Sequence, residues 1–269
     1  MSSTSAIGWN PKLIDLSNQR TDKPRISGCT MVMDKGLGLT NFRDTLELAG
    51  EYIDFIKLGF GTAGLTPETV LKQKIALAKK HQVHLYPGGT FFEVALAQSC
   101  LDIYFHTLRE LEFEWIEISD GTVDLSPATR IEAIKKAREW GFRVITEIGK
   151  KEEGSVTSIP QLLSTYEQDL SAGAFYVIVE GRETGENIGI FNQYGEVNQS
   201  YVTQVMKTVG PERIIWEAPQ KQQQVWILGI LGAQANLGNI SPQEILSVES
   251  LRRGLRSDTF YCWKEKKSF

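Results

Sequence analysis

Charged and hydrogen-bonding side chains stand at the ends of eight short apolar runs. In chain order they are Asp34-Lys35-Gly36, Lys57-Leu58-Gly59, Pro87-Gly88-Gly89-Thr90 and Glu117 with Asp120-Gly121. Then come Glu147 with Gly149-Lys150-Lys151, Glu180-Gly181-Arg182-Glu183, Glu217-Ala218-Pro219 and Asn236-Leu237-Gly238-Asn239. Carboxylates with no His or Cys nearby favour a hard cation, Mg2+ or Mn2+, bound through oxygen. Lysines and arginines opposite them suit an anion such as phosphate or carboxylate. The glycines at 88, 89, 121, 149 and 238 let backbone N–H groups come close to that anion. A buried charge is costly unless it is paired or metal-bound, so five runs ending in carboxylates point to a site rather than to surface solvation.

The elements that must bring these residues together follow one repeating pattern. Each apolar run leads through a turn into a longer amphipathic stretch. The runs are Cys29–Met33, Tyr52–Leu58, Val83–Tyr86, Trp115–Ile118, Arg143–Ile148, Phe175–Val179, Arg213–Trp216 and Gln234–Leu237. Most are rich in β-branched and aromatic residues, as buried strands are. The stretches between and after them run over Asn41–Ala49, Pro67–His81, Phe91–Leu111, Pro127–Trp140, Ile159–Ala172, Val197–Val209, Gln220–Leu231 and Pro242–Gly254. Thr66-Pro67, Ser126-Pro127 and Ser241-Pro242 read as helix starts, with an N-cap residue before proline. Eight alternating β and α units predict a single (β/α)8 TIM barrel, α/β in class, over residues 23–269. Residues 1–22 read as an N-terminal arm lying on the surface or on a neighbouring subunit. No GxGxxG follows the first strand, which counts against an open doubly wound sheet. In such a barrel the strand tips form the site, and the segment after strand eight, with Asn236 and Asn239, is where phosphate often binds.

Composition narrows the partners. The net charge of -4 provides no broad basic field, so neither nucleic acid nor an anionic membrane surface is expected. No apolar run approaches the length of a membrane span. The opening MSSTSAIGWNPK lacks the basic start and apolar core of a secretory signal. Three cysteines, Cys29, Cys100 and Cys262, match neither a zinc pattern nor a disulfide framework, which predicts a reducing, cytoplasmic compartment. His81, His84 and His106 read as core or solvent-facing residues, not ligands, and Glu93 and Glu183 as either site residues or helix N-terminal charges.

The motif-bearing runs resemble the phosphosulfolactate synthase family. They are Thr30–Gly38 (TMVMDKGLG), Tyr52–Thr62 (YIDFIKLGFGT), Tyr86–Thr90 (YPGGT), Ile116–Gly121 (IEISDG), Glu147–Lys151 (EIGKK), Glu180–Glu183 (EGRE), Trp216–Pro219 (WEAP) and Asn236–Ile240 (NLGNI). Leu251-Arg252 and Leu255-Arg256 follow in the same order, and the resemblance spans about residues 23–259. It implies a lyase that adds sulfite to phosphoenolpyruvate, with Mg2+, giving (2R)-phospho-3-sulfolactate, the step that begins coenzyme M biosynthesis in methanogens. It also implies a homo-oligomer, a trimer being one arrangement. The family includes members with other roles and a plant branch named for heat-stress tolerance. A relative acting on another phosphorylated carboxylic acid, or a non-catalytic one, is therefore the alternative.

That reaction assigns roles. Sulfite attacks C3, and negative charge builds at C2 and on the carboxylate, where a metal is most effective. Glu117, Glu147 and Glu180, or two of them with Asp120, are expected to hold the metal. The acid delivering a proton to C2 is expected to be Lys150, with Lys151 and Lys35 as alternatives, its pKa brought toward neutrality by cationic neighbours. Lys57, Arg182 and the Gly88-Gly89 backbone are expected to bind phosphate or sulfite. A Schiff-base lyase using Lys57 is a competing reading.

Overall fold

A computed structural model describes residues 8–152 and 154–264. Eight strands follow one another: β1 (Thr30–Asp34), β2 (Phe55–Leu58), β3 (His84–Pro87), β4 (Trp115–Ser119), β5 (Arg143–Ile148), β6 (Ala174–Val179), β7 (Ile214–Glu217) and β8 (Asn236–Ile240). The helices are α1 (Pro11–Ile14), α2 (Leu39–Ala49), α3 (Glu68–Lys80), α4 (Gly89–Ala97), α5 (Leu101–Glu110), α6 (Pro127–Glu139), α7 (Ile159–Ala172), α8 (Gln199–Thr208), α9 (Lys221–Leu231), α10 (Ile245–Arg252) and α11 (Ser257–Lys264). All strand pairs are parallel, in the order β3-β2-β1-β8-β7-β6-β5-β4, so β1 and β8 join while β3 and β4 meet without a hydrogen-bonded ladder. The expected single (β/α)8 barrel is the fold.

Alternation along the strands sorts the core into two layers. Met31, Phe55, Tyr86, Trp115, Ile145, Tyr176, Ile178 and Ile215 fill the barrel interior. The intervening residues, such as Val32, Ile56, Ile116, Val177 and Trp216, pack outward under the helices. Each such side chain taken from water contributes roughly 1.5–3 kcal/mol, so the interior is a filled core and only the strand tips are left for chemistry.

The local signals hold in part. Ser126 caps α6 by accepting from Thr129 N at 3.1 Å. Gly173, at φ 112°, ends α7 in the left-handed conformation that glycine adopts without strain. Thr66 and Ser241 do not cap: their hydroxyls donate instead to Thr62 O at 2.8 Å and Gln243 Oε1 at 2.5 Å. The expected stretch over Phe91–Leu111 is two helices, broken at Ser99, whose φ is +56°. The chain also adds α11, which the periodicity did not mark.

Of the expected arm, the first seven residues lie outside the described ones. The remainder straps the floor of the barrel. Leu16 N donates to Arg253 O at 2.8 Å and Arg20 pairs with buried Glu249 at 2.9 Å; just past the arm, Lys23 Nζ donates to the carbonyl of Gly50 at 2.7 Å.

Candidate active site

The parity that fills the interior also builds the site. Lys57, Glu117, Glu147, Glu180 and Glu217 each follow by two an inward apolar residue: Phe55, Trp115, Ile145, Ile178 and Ile215. All five therefore point inward as a polar layer above the aromatic floor, and all are buried. Lys57 Nζ is the hub, 2.6 Å from Glu147, 3.0 Å from Glu117 and 3.4 Å from Glu217. Glu147, Glu180 and Glu217 bring carboxylate oxygens within 4.8 Å of one another. Lys151 Nζ reaches in from the β5–α7 loop, 3.4 Å from Glu147 and 3.0 Å from Thr90 Oγ1. Above these groups opens a cavity of about 300 Å³, lined among others by Lys57, Thr90, Glu147, Lys151, Glu180 and Arg182.

Burial and mutual charge set the proton affinities. Burial pushes the Glu117 carboxyl up to about 7, against the pull of Lys57. Burial, then the facing Glu147 and Glu217 carboxylates, holds Glu180 well above the usual carboxylate range. Burial opposes ionisation of Glu147 too, but Lys57 and Lys151 outweigh it and leave its pKa depressed. Lys57 and Lys151 are both raised, burial being overcome by the surrounding glutamates. For Lys151 the expectation of a pKa drawn toward neutrality is not met: its nearest neighbours are anions.

This donor set fits a divalent metal. Four carboxyl groups (117, 147, 180, 217) face the two ammonium groups of Lys57 and Lys151. The buried Oε2 atoms of Glu117 and Glu180 accept no hydrogen bond from any described donor. Oxygen-only ligands select a hard cation.

The expected residues separate into those gathered here and those placed elsewhere. Lys57, Gly88, Lys151, Arg182, Asn239, Glu147 and Glu180 line the cavity. Gly89 lies just behind, its N–H donating to Glu117 Oε1 at 2.6 Å. Four expected residues lie elsewhere. Lys150 turns away, donating to Asp120 O at 2.7 Å and pairing with Asp124 at 2.7 Å. Asp120 has the outward parity of Ile118 and pairs with Arg130 at 3.0 Å, which also grips Asp169 at 2.7 Å and the carbonyl of Glu147 at 3.0 Å. Asn236 begins its strand and so sits at the barrel floor, where it accepts from Cys29 N at 2.9 Å and donates to Ile214 O at 3.0 Å. Lys35 stands at the rim, ion-paired with Glu183 and 5.7 Å over the Phe60 ring.

Two further acidic residues stand near this cluster. Glu217 belongs with Glu147 and Glu180; its parity after Ile215 was the signal. Glu93 lies behind the cavity, 3.8 Å from Lys151 Nζ. It accepts from Ser119 Oγ and from the backbone N–H groups of Thr122 at 2.7 Å and Val123 at 3.0 Å, shaping the β4–α6 loop.

The profile of the (2R)-phospho-3-sulfolactate synthase (ComA) family matches residues 18–258. The chain belongs to the phosphosulfolactate synthase family. It is 42% identical to the phosphosulfolactate synthase of Methanothermobacter thermautotrophicus, over 91% of this chain and 95% of that one. It is 43% identical to the phosphosulfolactate synthase of Methanocaldococcus jannaschii, over 87% and 94%. Among solved structures, 3-hexulose-6-phosphate synthase from Salmonella typhimurium aligns with a TM-score of 0.53 at 13% identity, covering 83% of this chain and 99% of that one. That likeness shows the barrel alone. No helix among the described residues is long and apolar enough to cross a membrane.

Proposed function

We propose that this member of the phosphosulfolactate synthase family joins sulfite to C3 of phosphoenolpyruvate, giving (2R)-phospho-3-sulfolactate. The observation that carries the reading is the convergence of Glu147, Glu180 and Glu217 with Lys57 and Lys151 under one cavity, in a chain with more than two-fifths identity to phosphosulfolactate synthases.

Glu147, Glu180 and Glu217 would hold Mg2+. Bound there, the ion would supply positive charge to stabilise the electron density that develops on a substrate carboxylate. The remaining steps belong to the chain. As the sulfur lone pair forms the bond to C3, the C2–C3 π pair moves toward C2 and the carboxylate. Lys151 then gives its proton to C2. The neighbouring glutamates keep its ammonium form populated, so the donor is loaded at neutral pH. Lys57 stays charged and holds Glu117, Glu147 and Glu217 in place, a poor state for Schiff-base chemistry. Arg182, on the rim, offers a guanidinium to the incoming anion. The three free cysteines fit a reducing, cytoplasmic setting.

The test is product identification. NMR after incubating the protein with phosphoenolpyruvate, sulfite and Mg2+ should show the vinyl protons of phosphoenolpyruvate replaced by a sulfomethylene–CH pair. Phosphoenolpyruvate left intact under all three additions would refute the proposal.

A further inference from the structure

The mouth of the barrel has two lobes. The inner one, about 300 Å³, lies over the glutamate layer. The outer one, about 450 Å³, is lined by Lys35, Gly36, Asn239, Ser241, Gln243 and Glu183 among others. Glu183 and Asn239 line both, and the Lys35–Glu183 ion pair runs across the rim from the β1–α2 loop to the β6–α8 loop. Glu183 does not arrive there by chance of a floppy loop. Arg182 N donates to Glu180 Oε1 at 2.6 Å, and Asn239 Nδ2 donates to Arg182 O, so the backbone next to Glu183 is pinned to the tips of β6 and β8.

We propose that the outer lobe is the phosphate subsite and that Glu183 is its built-in competitor, holding Lys35 in the free protein and yielding it to the phosphate of the substrate. The proposal rests on phosphoenolpyruvate being the substrate. Charge distributes the two ends of that molecule. The inner lobe is lined by Glu147, Glu180, Glu183 and Glu217 against Lys57, Lys151 and Arg182. Lys57 is shared among three carboxylates and Lys151 is engaged by Glu147, and the metal proposed there is matched to the substrate carboxylate, which leaves the phosphate to the outer lobe. Lys35 and the Gln243 amide nitrogen are the outer lobe's donors for phosphate oxygens, while the Ser241 hydroxyl donates to Gln243 Oε1 and the Asn239 amide to Arg182 O. Lys35 and Glu183 are both about half exposed, at 46% and 55% of their side chains. An exposed pair contributes little net stability, so it exchanges readily for a doubly charged ligand. A singly charged or neutral molecule gains less from the exchange, which makes Glu183 a filter for phosphorylated substrates.

The experiment titrates inorganic phosphate, at fixed ionic strength and without metal, into the full chain and into its Glu183→Gln and Lys35→Gln variants. Both side chains are exposed, so neither change threatens the fold. Glu183→Gln should bind phosphate about two- to fivefold more tightly, the range set by an exposed ion pair. Lys35→Gln should bind it about ten- to a hundredfold more weakly, as for loss of a charged hydrogen bond. Equal affinities in all three proteins would overturn the proposal. Steady-state kinetics separates the two anions: Glu183→Gln should lower the KM for phosphoenolpyruvate, and a change confined to the KM for sulfite would also overturn it. A protein that does not turn over phosphoenolpyruvate refutes the proposed function instead, and the phosphate titration still reads the subsite.

Discussion

Lys57 Nζ and Glu147 Oε2 lie 2.6 Å apart although 90 residues separate them in the chain, a contact that ties β2 to β5 through the barrel interior. Glu117 and Glu217 crowd the same ammonium group. Desolvating each of these ions costs several kcal/mol after relaxation, and their attraction does little more than repay it. Apolar side chains would serve the fold better at that height in the barrel. The layer is therefore kept for what it binds.

Lys151 and Lys150 are neighbours with opposite surroundings, one in the cavity and one bonded into the β4–α6 loop. Lys151→Ala should lower kcat by about 10²- to 10⁴-fold, the usual worth of a positioned proton donor, while phosphoenolpyruvate still binds. Lys150→Ala should cost far less in kcat. Rate measurements on the two variants decide it, and an equal loss in both would remove Lys151 from the role.

Metal dependence distinguishes Glu217 from Asp120. Glu217→Gln removes an oxygen from the three-carboxylate cluster and should raise the Mg2+ concentration needed for half-maximal activity by at least about tenfold. Asp120→Asn leaves that cluster whole and disturbs only the pair with Arg130, so its Mg2+ requirement should stay near that of the parent. Mg2+ titrations of both variants would reverse the assignment if Asp120→Asn proved the more sensitive.

Gly89 is where β3 hands over to α4 against β4. A Cβ there would come within 2.3 Å of Ser119 Oγ and 2.8 Å of Glu117 Oε1. Gly89→Ala must push the turn off β4, at a cost of about 1–3 kcal/mol for overpacking. Because Glu117 accepts from this N–H and leans on Lys57, turnover should fall by up to about 10²-fold, as misplacement by an ångström does. Urea unfolding and kcat measured on one preparation test both parts.

The floor of the barrel predicts an acid response. Burial alone would raise the Glu249 carboxyl, but Arg20 outweighs it and holds the pKa below its ordinary value of 4.5. The unfolded chain then takes up a proton before the folded one does. The stabilisation is complete above about pH 4.5 and drains away as pH falls through the depressed value. In urea unfolding between about pH 3 and 6, the stability gap between the parent and Glu249→Gln should narrow toward acid; a gap independent of pH would exclude the linkage.

Much of this arrangement is legible in the sequence because a strand alternates faces. The order of apolar runs marks the barrel, and Glu117, Glu147 and Glu180 share the parity of Trp115, Ile145 and Ile178. The same count places Asp120 outward with Ile118 and Glu217 inward with Ile215. Alternation ends where the strand ends. Gly149, at φ 133°, breaks it just before the two lysines, so no periodic signal tells Lys150 from Lys151. Asn236 is misleading for another reason. Its strand starts two residues later than the apolar run Gln234–Leu237 suggests, which moves Asn236 from the tip to the base. Lys35–Glu183 pairs two loops whose approach depends on the completed ring, and no local pattern encodes that.

The barrel is a rolled sheet whose two free margins, β3 and β4, abut without a ladder. At the mouth that seam is stitched by side chains: Gly89 N to Glu117 Oε1, and Lys151 Nζ to Thr90 Oγ1 from the far side of β4. The groups that close the cylinder are thus the ones that line its reactive end. A molecule settling among them also fastens the staves, so catalytic occupancy and resistance to breathing along this join rise and fall together.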